Sequence, residues 1–387
     1  MAILNSIAGF EKDMAEWRRH LHQYPELGRE CYKTAEYVTE RLKEFGITEI
    51  HPGYASSGLV AIIEGKAPGR TIGLRADMDA LPIKENTGLS YSSKNEGVMH
   101  ACGHDGHTAM LLGAARYLAE TRNFSGRVAL IFQPDEEATG GAKVMVEEGI
   151  IEQFLIDEVY ALHNIPGRDV GVMYTRSGPI MAGADSFSVE IKGKGGHAAY
   201  PHEVKDPIVA ALSIAQAFQT IVSRNNIPSD DLVISITQVH SGTTDNVIPE
   251  VAYLNGTVRT FDLSVQKMVI ERMEKIISGF AMSFEVDAKL NYEKGYPPTI
   301  NHDDATNFAI EVAKDVCGSD QVLTSVGKEM GAEDFSYMLE KRPGAYLFLG
   351  IGEGAGLHNP NYDFNDAAAP VGASFFARLI EKALPLG

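Results

Sequence analysis

At 387 residues, 44% of them hydrophobic, the chain can bury a large core, and its length favours two domains. Its 34 basic and 52 acidic residues leave a formal charge of −18, which argues against nucleic acid and anionic membranes as partners. An anionic small substrate would need a local cation to hold it against that field. Three cysteines, an odd number far apart, offer no disulfide framework. The opening residues lack the pattern of a secretory signal, and no apolar run reaches the roughly 18 residues of a membrane span, so a cytoplasmic protein is expected.

In chain order, YKTAEYVTERLKEFG (32–46) reads as a helix closed by Gly46. GLVAIIEG (58–65), TIGLRAD (71–77), RVALIFQ (127–133) and EVYALHN (158–164) are apolar runs rich in β-branched residues, suited to strands buried on both faces. A helix over 108–123 separates the second of these from the third. The middle of the chain reads as strand 186–193, helix 206–224 opened by Asp206-Pro207, strands 232–242 and 250–261, helix 264–284 and strand 285–295. That order, β-α-β-β-α-β, resembles the split βαβ plan. Strand GAYLFLG (344–350) and helix 372–384 then resume the first pattern. The expected fold class is α/β: a mixed, mostly parallel sheet flanked by helices, with an inserted α+β domain. The boundaries fall at 1–182 plus 296–387, and 183–295.

HACGHDGH (100–107) packs three histidines, a cysteine and an aspartate into eight positions. Asp77, Asp79, Glu136, Glu137, His163 and His358 all fall at or beyond the carboxyl ends of expected strands, where an open α/β sheet binds ligands. Each alone has an ordinary structural explanation; their coincidence at one sheet edge outweighs it. Cys102, His104, Glu137, His163 and His358 form a mixed sulfur, nitrogen and oxygen donor set suited to Zn²⁺, Mn²⁺ or Co²⁺. Five donors exceed the three protein ligands usual for one catalytic zinc, so two divalent ions per subunit, about 3.5–4 Å apart, fit better. His100, Asp105 and His107 are left to supporting or helix-capping roles.

WRRHLHQYPEL, LRADMDALPI, HACGHDGHTAMLLGAA, FQPDEE, GGHAAYPH, DNVIPE, GTVRTFD, GAEDFSY and LHNPNYDFND occur in order over nearly the whole chain. Together they resemble the amidohydrolase branch of the aminoacylase/glutamate carboxypeptidase family of metallopeptidases, which includes hippurate hydrolases and indole-acetyl-amino-acid hydrolases. The resemblance implies metal ligands at Cys102, His104, Glu137, His163 and His358, and a general base at Glu136. Asp77 stands where the wider family has a metal-binding histidine; Asp77 and Asp79 are therefore read as supporting residues that orient ligands. His197 is a candidate donor to the tetrahedral oxyanion, and Arg259 and Asn246 are candidates for holding the substrate, Arg259 through its α-carboxylate.

The implied function is metal-dependent hydrolysis of an N-acyl-L-amino acid to a carboxylic acid and an amino acid. The alternatives are a dipeptidase or a dedicated deacetylase of N-acetyl-diaminopimelate or another N-acetyl amino acid. A catalytically silent metal-binding protein on the same scaffold is the non-enzyme alternative, and the carboxylate at Glu136 argues against it. Two helices cover only one face of the inserted four-stranded sheet, leaving a face or edge for a partner. With the resemblance, this makes 183–295 a lid and dimerisation domain of a homodimer or dimer of dimers, His197 reaching the other subunit's site.

Overall fold

The computed structural model describes residues 3–387, which divide into two compact units. The first comprises the chain up to Ile180, Ile300–Gly327 and Asp334–Gly387; the second comprises Met181–Thr299 and Lys328–Glu333. The segment Lys328–Glu333, expected in the first unit, belongs to the second. The backbone N–H of Ala182 donates to the carbonyls of Glu329 and Gly331, each at 3.0 Å. The ammonium of Lys328 pairs with Asp231 at 2.8 Å and lies over the Phe261 ring.

The first unit is built on an eight-stranded sheet. Its centre is four parallel strands in the spatial order Arg127–Gln133, Thr71–Asp77, Ile156–Ile165 and Gly344–Gly350. All seven residues of Thr71–Asp77 and of Gly344–Gly350 are buried, as strands covered on both faces should be. Helices Glu11–Gln23, Tyr32–Glu44, His104–Thr121, Asp303–Cys317 and Ala369–Ala383 contribute Met14, Val38, Met110, Val312 and Phe376 to the same core. Because the central strands are parallel, their carboxyl ends share one side, and the residues that follow them converge there.

Strand Glu49–Tyr54 is additional to the expected elements. It pairs antiparallel at the sheet's edge, contains Pro52 and Gly53, and has its register broken between Pro52 and Tyr54. Proline is tolerated there because an edge strand has one side without ladder bonds, and the same residue hides the strand from pattern reading. Helices Glu11–Gln23 and Asp303–Cys317 are also additional.

The helix expected from 108 begins at His104. Gly103 turns the chain into it with φ +88°, and a Cβ there would lie 2.0 Å from the side-chain oxygen of Asn164. Only glycine satisfies both demands. The early start places His104, Asp105 and His107 on the helix's first turn.

The second unit follows the order β-α-β-β-α-β, its four main strands all antiparallel in the spatial order Leu232–Ser241, Val251–Thr260, Gly183–Lys192, Asp287–Tyr296. Phe187, Val189 and Ile191 are buried with Ala210, Phe218, Val269 and Met273 of its helices, while Ser186 and Ser188 alternate to the other face. Asp206 caps Pro207–Thr220 by accepting from the backbone N–H of Ile208 at 2.8 Å. Among the described residues, no helix is long and apolar enough to cross a membrane.

Candidate active site

Beyond the carboxyl ends of the central strands, ligand-type atoms of Cys102, His104 and His163 lie within 4.8 Å of one another. So do those of Cys102, Glu137 and His358. Cys102 is common to both groups, and Glu136 forms a further group with His104 and Glu137. Residues separated by more than 250 positions thus meet as the strand ends require.

The orientations of these groups suit a cation. The imidazole of His163 has Nδ1 2.6 Å from the carbonyl of Asn164, so Nδ1–H donates and the Nε2 lone pair faces Cys102 Sγ at 3.5 Å. His104 has Nδ1 3.3 Å from Asp79, while its buried Nε2 makes no hydrogen bond and lies 3.7 Å from Glu137 Oε1. Glu137 Oε1 makes no hydrogen bond either, although His358 Nε2 is 3.2 Å away. A carboxylate behind an imidazole whose second nitrogen is unpartnered is the usual support of a metal ligand.

Charge leads to the same place. Asp77, Asp79 and Glu136 are buried and Glu137 nearly so, around a buried thiol. Burial, then Glu137 and Glu136, push the Cys102 thiol well above its ordinary pKa. Burial pushes His163 down to about 3, with His107 adding to it, which keeps the imidazole neutral and able to donate a lone pair. Burial also opposes charge on His104, but Asp77 and Asp79 outweigh it and raise the group to about 10. Such a cluster demands positive charge, which either protons or divalent ions can supply.

Asp77 is committed elsewhere. Arg75 donates to it at 2.8 Å, and His107 Nδ1 lies 2.5 Å from its other oxygen. Burial would raise its carboxyl, yet His104 and Arg75 hold it well below the carboxylate range. The backbone N–H of Asn164 donates to His107 Nε2 at 3.0 Å, which fixes that ring's tautomer. Asp79, besides facing His104, accepts the backbone N–H of Glu137 at 3.1 Å. These contacts suit support of neighbouring ligands. Asp105 and His107 contact neighbouring side chains; no side-chain hydrogen bond caps the helix they open.

Two residues at this edge adopt left-handed backbone rare outside glycine: Asp135 with φ +62° and His358 with φ +60°. Arg29 donates to the Asp135 carboxylate at 2.9 Å, and the His358 backbone N–H donates to the Ala101 carbonyl at 2.8 Å. Local strain is held by surrounding bonds, a pattern common at working sites.

His197, Asn246 and Arg259 belong to the second unit. His197 pairs with Val247 in a two-stranded ladder, and the Ala198 N–H donates to the Asn246 carbonyl at 3.1 Å, so the first two are neighbours. Both are exposed. The Ala199 N–H donates to His197 Nδ1 at 3.1 Å, which in the neutral ring leaves the proton on Nε2 as a donor. Arg259 is half-buried on strand Val251–Thr260, between Val233 and Ala184 of the flanking strands.

The family model for peptidase family M20/M25/M40 matches residues 73–382, the stretch that contains every candidate site residue. The chain belongs to this family. Among M20-type relatives, it is 41% identical over 384 residues to a hippurate hydrolase of Campylobacter jejuni, covering 99% of this chain and 100% of that one. It is 42% identical over 372 residues to an N-acetyl-L-cysteine deacetylase of Bacillus subtilis, covering 96% and 88%. Among solved structures, it matches the Bacillus subtilis YXEP protein, a dinuclear metal binding peptidase from the M20 family, with TM-score 0.87 and 34% identity over 97% of this chain and 99% of that one.

Within this M20 fold, several supporting residues were not singled out from sequence. Asn164 donates its amide to the Tyr362 hydroxyl at 2.8 Å, besides fixing His107. Arg18 and His22 sit buried on helix Glu11–Gln23, against Asp105. Their spacing of four, two cations on one face of a short helix, was the available signal.

Proposed function

We propose that this metal-dependent amidohydrolase cleaves the amide bond of N-acyl-L-amino acids, releasing a carboxylic acid and a free amino acid. The observation that carries the reading is the pair of donor groups sharing Cys102, with Glu136 buried beside them. Cys102, His104 and His163 would hold one divalent ion, and Cys102, Glu137 and His358 the other. Zn²⁺, Mn²⁺ and Co²⁺ suit these mixed donors. When bound, the ions polarise the amide carbonyl and acidify water.

The protein's own groups then divide the work. Glu136 takes the proton of the attacking water and returns it to the leaving nitrogen as the carbon–nitrogen bond breaks. Asp77 and Asp79 keep the imidazoles oriented. His197, through Nε2–H, donates to the developing oxyanion, Arg259 pairs with the α-carboxylate and Asn246 helps to seat the substrate. The hippurate hydrolase and deacetylase relatives support this substrate class.

We place the enzyme in the cytoplasm, which its three cysteines without a disulfide support. We assign it a homodimer in which His197 serves the other subunit. Supporting this are an exposed histidine and an edge strand, Leu232–Ser241, whose last five residues are exposed. Light scattering tests the dimer. Mixing His197→Ala with Glu136→Gln subunits tests the exchange: partial recovery of activity supports action across the dimer, and a verified heterodimer without recovery refutes it.

Substrate is tested by assaying N-benzoyl, N-acetyl and dipeptide substrates after reconstitution with each metal. Turnover of N-acyl amino acids above dipeptides is expected; turnover of dipeptides alone would overturn the reading.

A further inference from the structure

His358 differs from the other candidate ligands in where it is held. Cys102 precedes a helix, His104 opens it, His163 lies within a central strand, and Glu137 follows one closely. His358 lies eight residues beyond strand Gly344–Gly350, in a segment without regular structure until Asp366. Its side chain is 53% exposed, in contrast to the fully buried His104. What fixes this segment relative to the helix of His104 therefore fixes the spacing between the two donor groups.

The His358 N–H bond to Ala101 and the Asn164 bond to Tyr362 hold this segment locally, and a further, charged tie comes from a third element. Arg18, on helix Glu11–Gln23, is 0% exposed. Its Nε donates to Asp366 at 2.7 Å and its Nη1 to Asp363 at 3.0 Å, both in the His358 segment. The same Nη1 lies 3.7 Å from Asp105, the residue next to His104. His22, one turn along, has Nδ1 2.8 Å from Asp105. The Tyr91 hydroxyl donates to Asp363 at 2.8 Å, with its ring 4.6 Å from the guanidinium. A guanidinium is rigid and planar, so several charged hydrogen bonds to it fix the relative positions of the carboxylates it holds.

We propose that Arg18 is a positioning residue that ties the His358 segment to the helix of His104, and so sets the affinity of the ion that His358 helps to hold. Arg18 itself touches neither donor group. The inference rests on the ligand assignment above but concerns metal affinity rather than hydrolysis.

The test is stepwise titration of the metal-free, full-length protein with Co²⁺, followed by visible absorption and by competition with a chelator. His358→Ala identifies which of the two binding steps belongs to His358. Arg18→Lys keeps the charge and loses the fork; it should weaken that same step roughly 10- to 100-fold, the range for lost support of a ligand, and leave the other within about threefold. Asp363→Asn, which keeps Arg18 paired with Asp366 and Asp105, should shift the same step in the same direction by less. Folding is checked by melting, and if Arg18→Lys does not fold, Asp363→Asn decides. Equal weakening of both steps, or no change in either, in a folded variant overturns the inference, as does a wild-type chain that binds one ion. Two ions bound without hydrolysis of any N-acyl amino acid would overturn the functional reading and leave this one standing.

Discussion

Most candidate site residues of the first unit are buried, and those of the second are not. In the first, His104, His163, Asp77 and Asp79 are buried, and nearly every ring nitrogen or carboxylate oxygen is oriented by a named partner. In the second, His197 and Asn246 are exposed on a two-residue ladder with only local bonds. Burial of so many carboxylates opposes folding and persists where a cation offsets it; the exposed ladder demands no such compensation. The difference teaches that the donor cluster of the first unit is fixed by burial and needs a cation, whereas the exposed ladder of the second needs none.

Substitutions can break or sharpen this contrast. The largest loss is expected in the first unit. Glu136→Gln should keep both metals and lower kcat by roughly 10²- to 10⁴-fold, the worth of a general base. Metal analysis beside kinetics checks it, and full activity at full metal content would remove Glu136 from the mechanism. Next, His197→Ala should lower kcat by about 10²- to 10³-fold, the worth of one oxyanion donor, with metal content unchanged. A loss confined to KM would make His197 a substrate contact instead.

Arg259→Ala should cost less and discriminate. Turnover of free-carboxylate substrates should fall about 10- to 150-fold, a charged pair of roughly 1.5–3 kcal/mol, while the corresponding esters or amides are little affected. Equal losses on both would make Arg259 structural.

The smallest effect concerns stability and lies in the first unit. Burial opposes charge on His22, but the carboxylates of Asp105, hydrogen-bonded to it, and of Glu85, 3.4 Å from its Nε2, outweigh it and raise its pKa to about 9 from an ordinary value of 6.5. A raised histidine stabilises the fold fully below its unfolded pKa. That contribution is lost as pH rises through about 9. The wild type should therefore lose on the order of 1–3 kcal/mol more than His22→Gln between pH 6.5 and 9.5, seen as a few degrees of melting temperature. Parallel melting curves across that range would show that His22 carries no such linkage.

Much of this contrast was legible in the sequence because parallel strands bring their ends together whatever lies between them. Asp77, Glu137, His163 and His358 could be placed at one edge from strand periodicity alone. Less legible were features set by tertiary contact. The helix start at His104 depends on Gly103 facing Asn164, 61 positions away in sequence. Strand Glu49–Tyr54 is masked by its own proline. The attachment of Lys328–Glu333 to the second unit depends on backbone bonds to Ala182, which no composition reveals. Arg18 and His22 lie in the WRRHLHQYPEL motif, but their role shows only where Asp105, Asp363 and Asp366 meet them.

The central claim is that two ions held through Cys102 support hydrolysis at Glu136. Its most direct test is metal content and N-benzoylglycine hydrolysis measured together, before chelation, after it, and during stepwise return of Mn²⁺, Zn²⁺ or Co²⁺. The account predicts two ions per chain, activity abolished by chelation, and activity restored as the ions return. Full activity in the chelated protein, or restoration complete at one ion per chain, would contradict it.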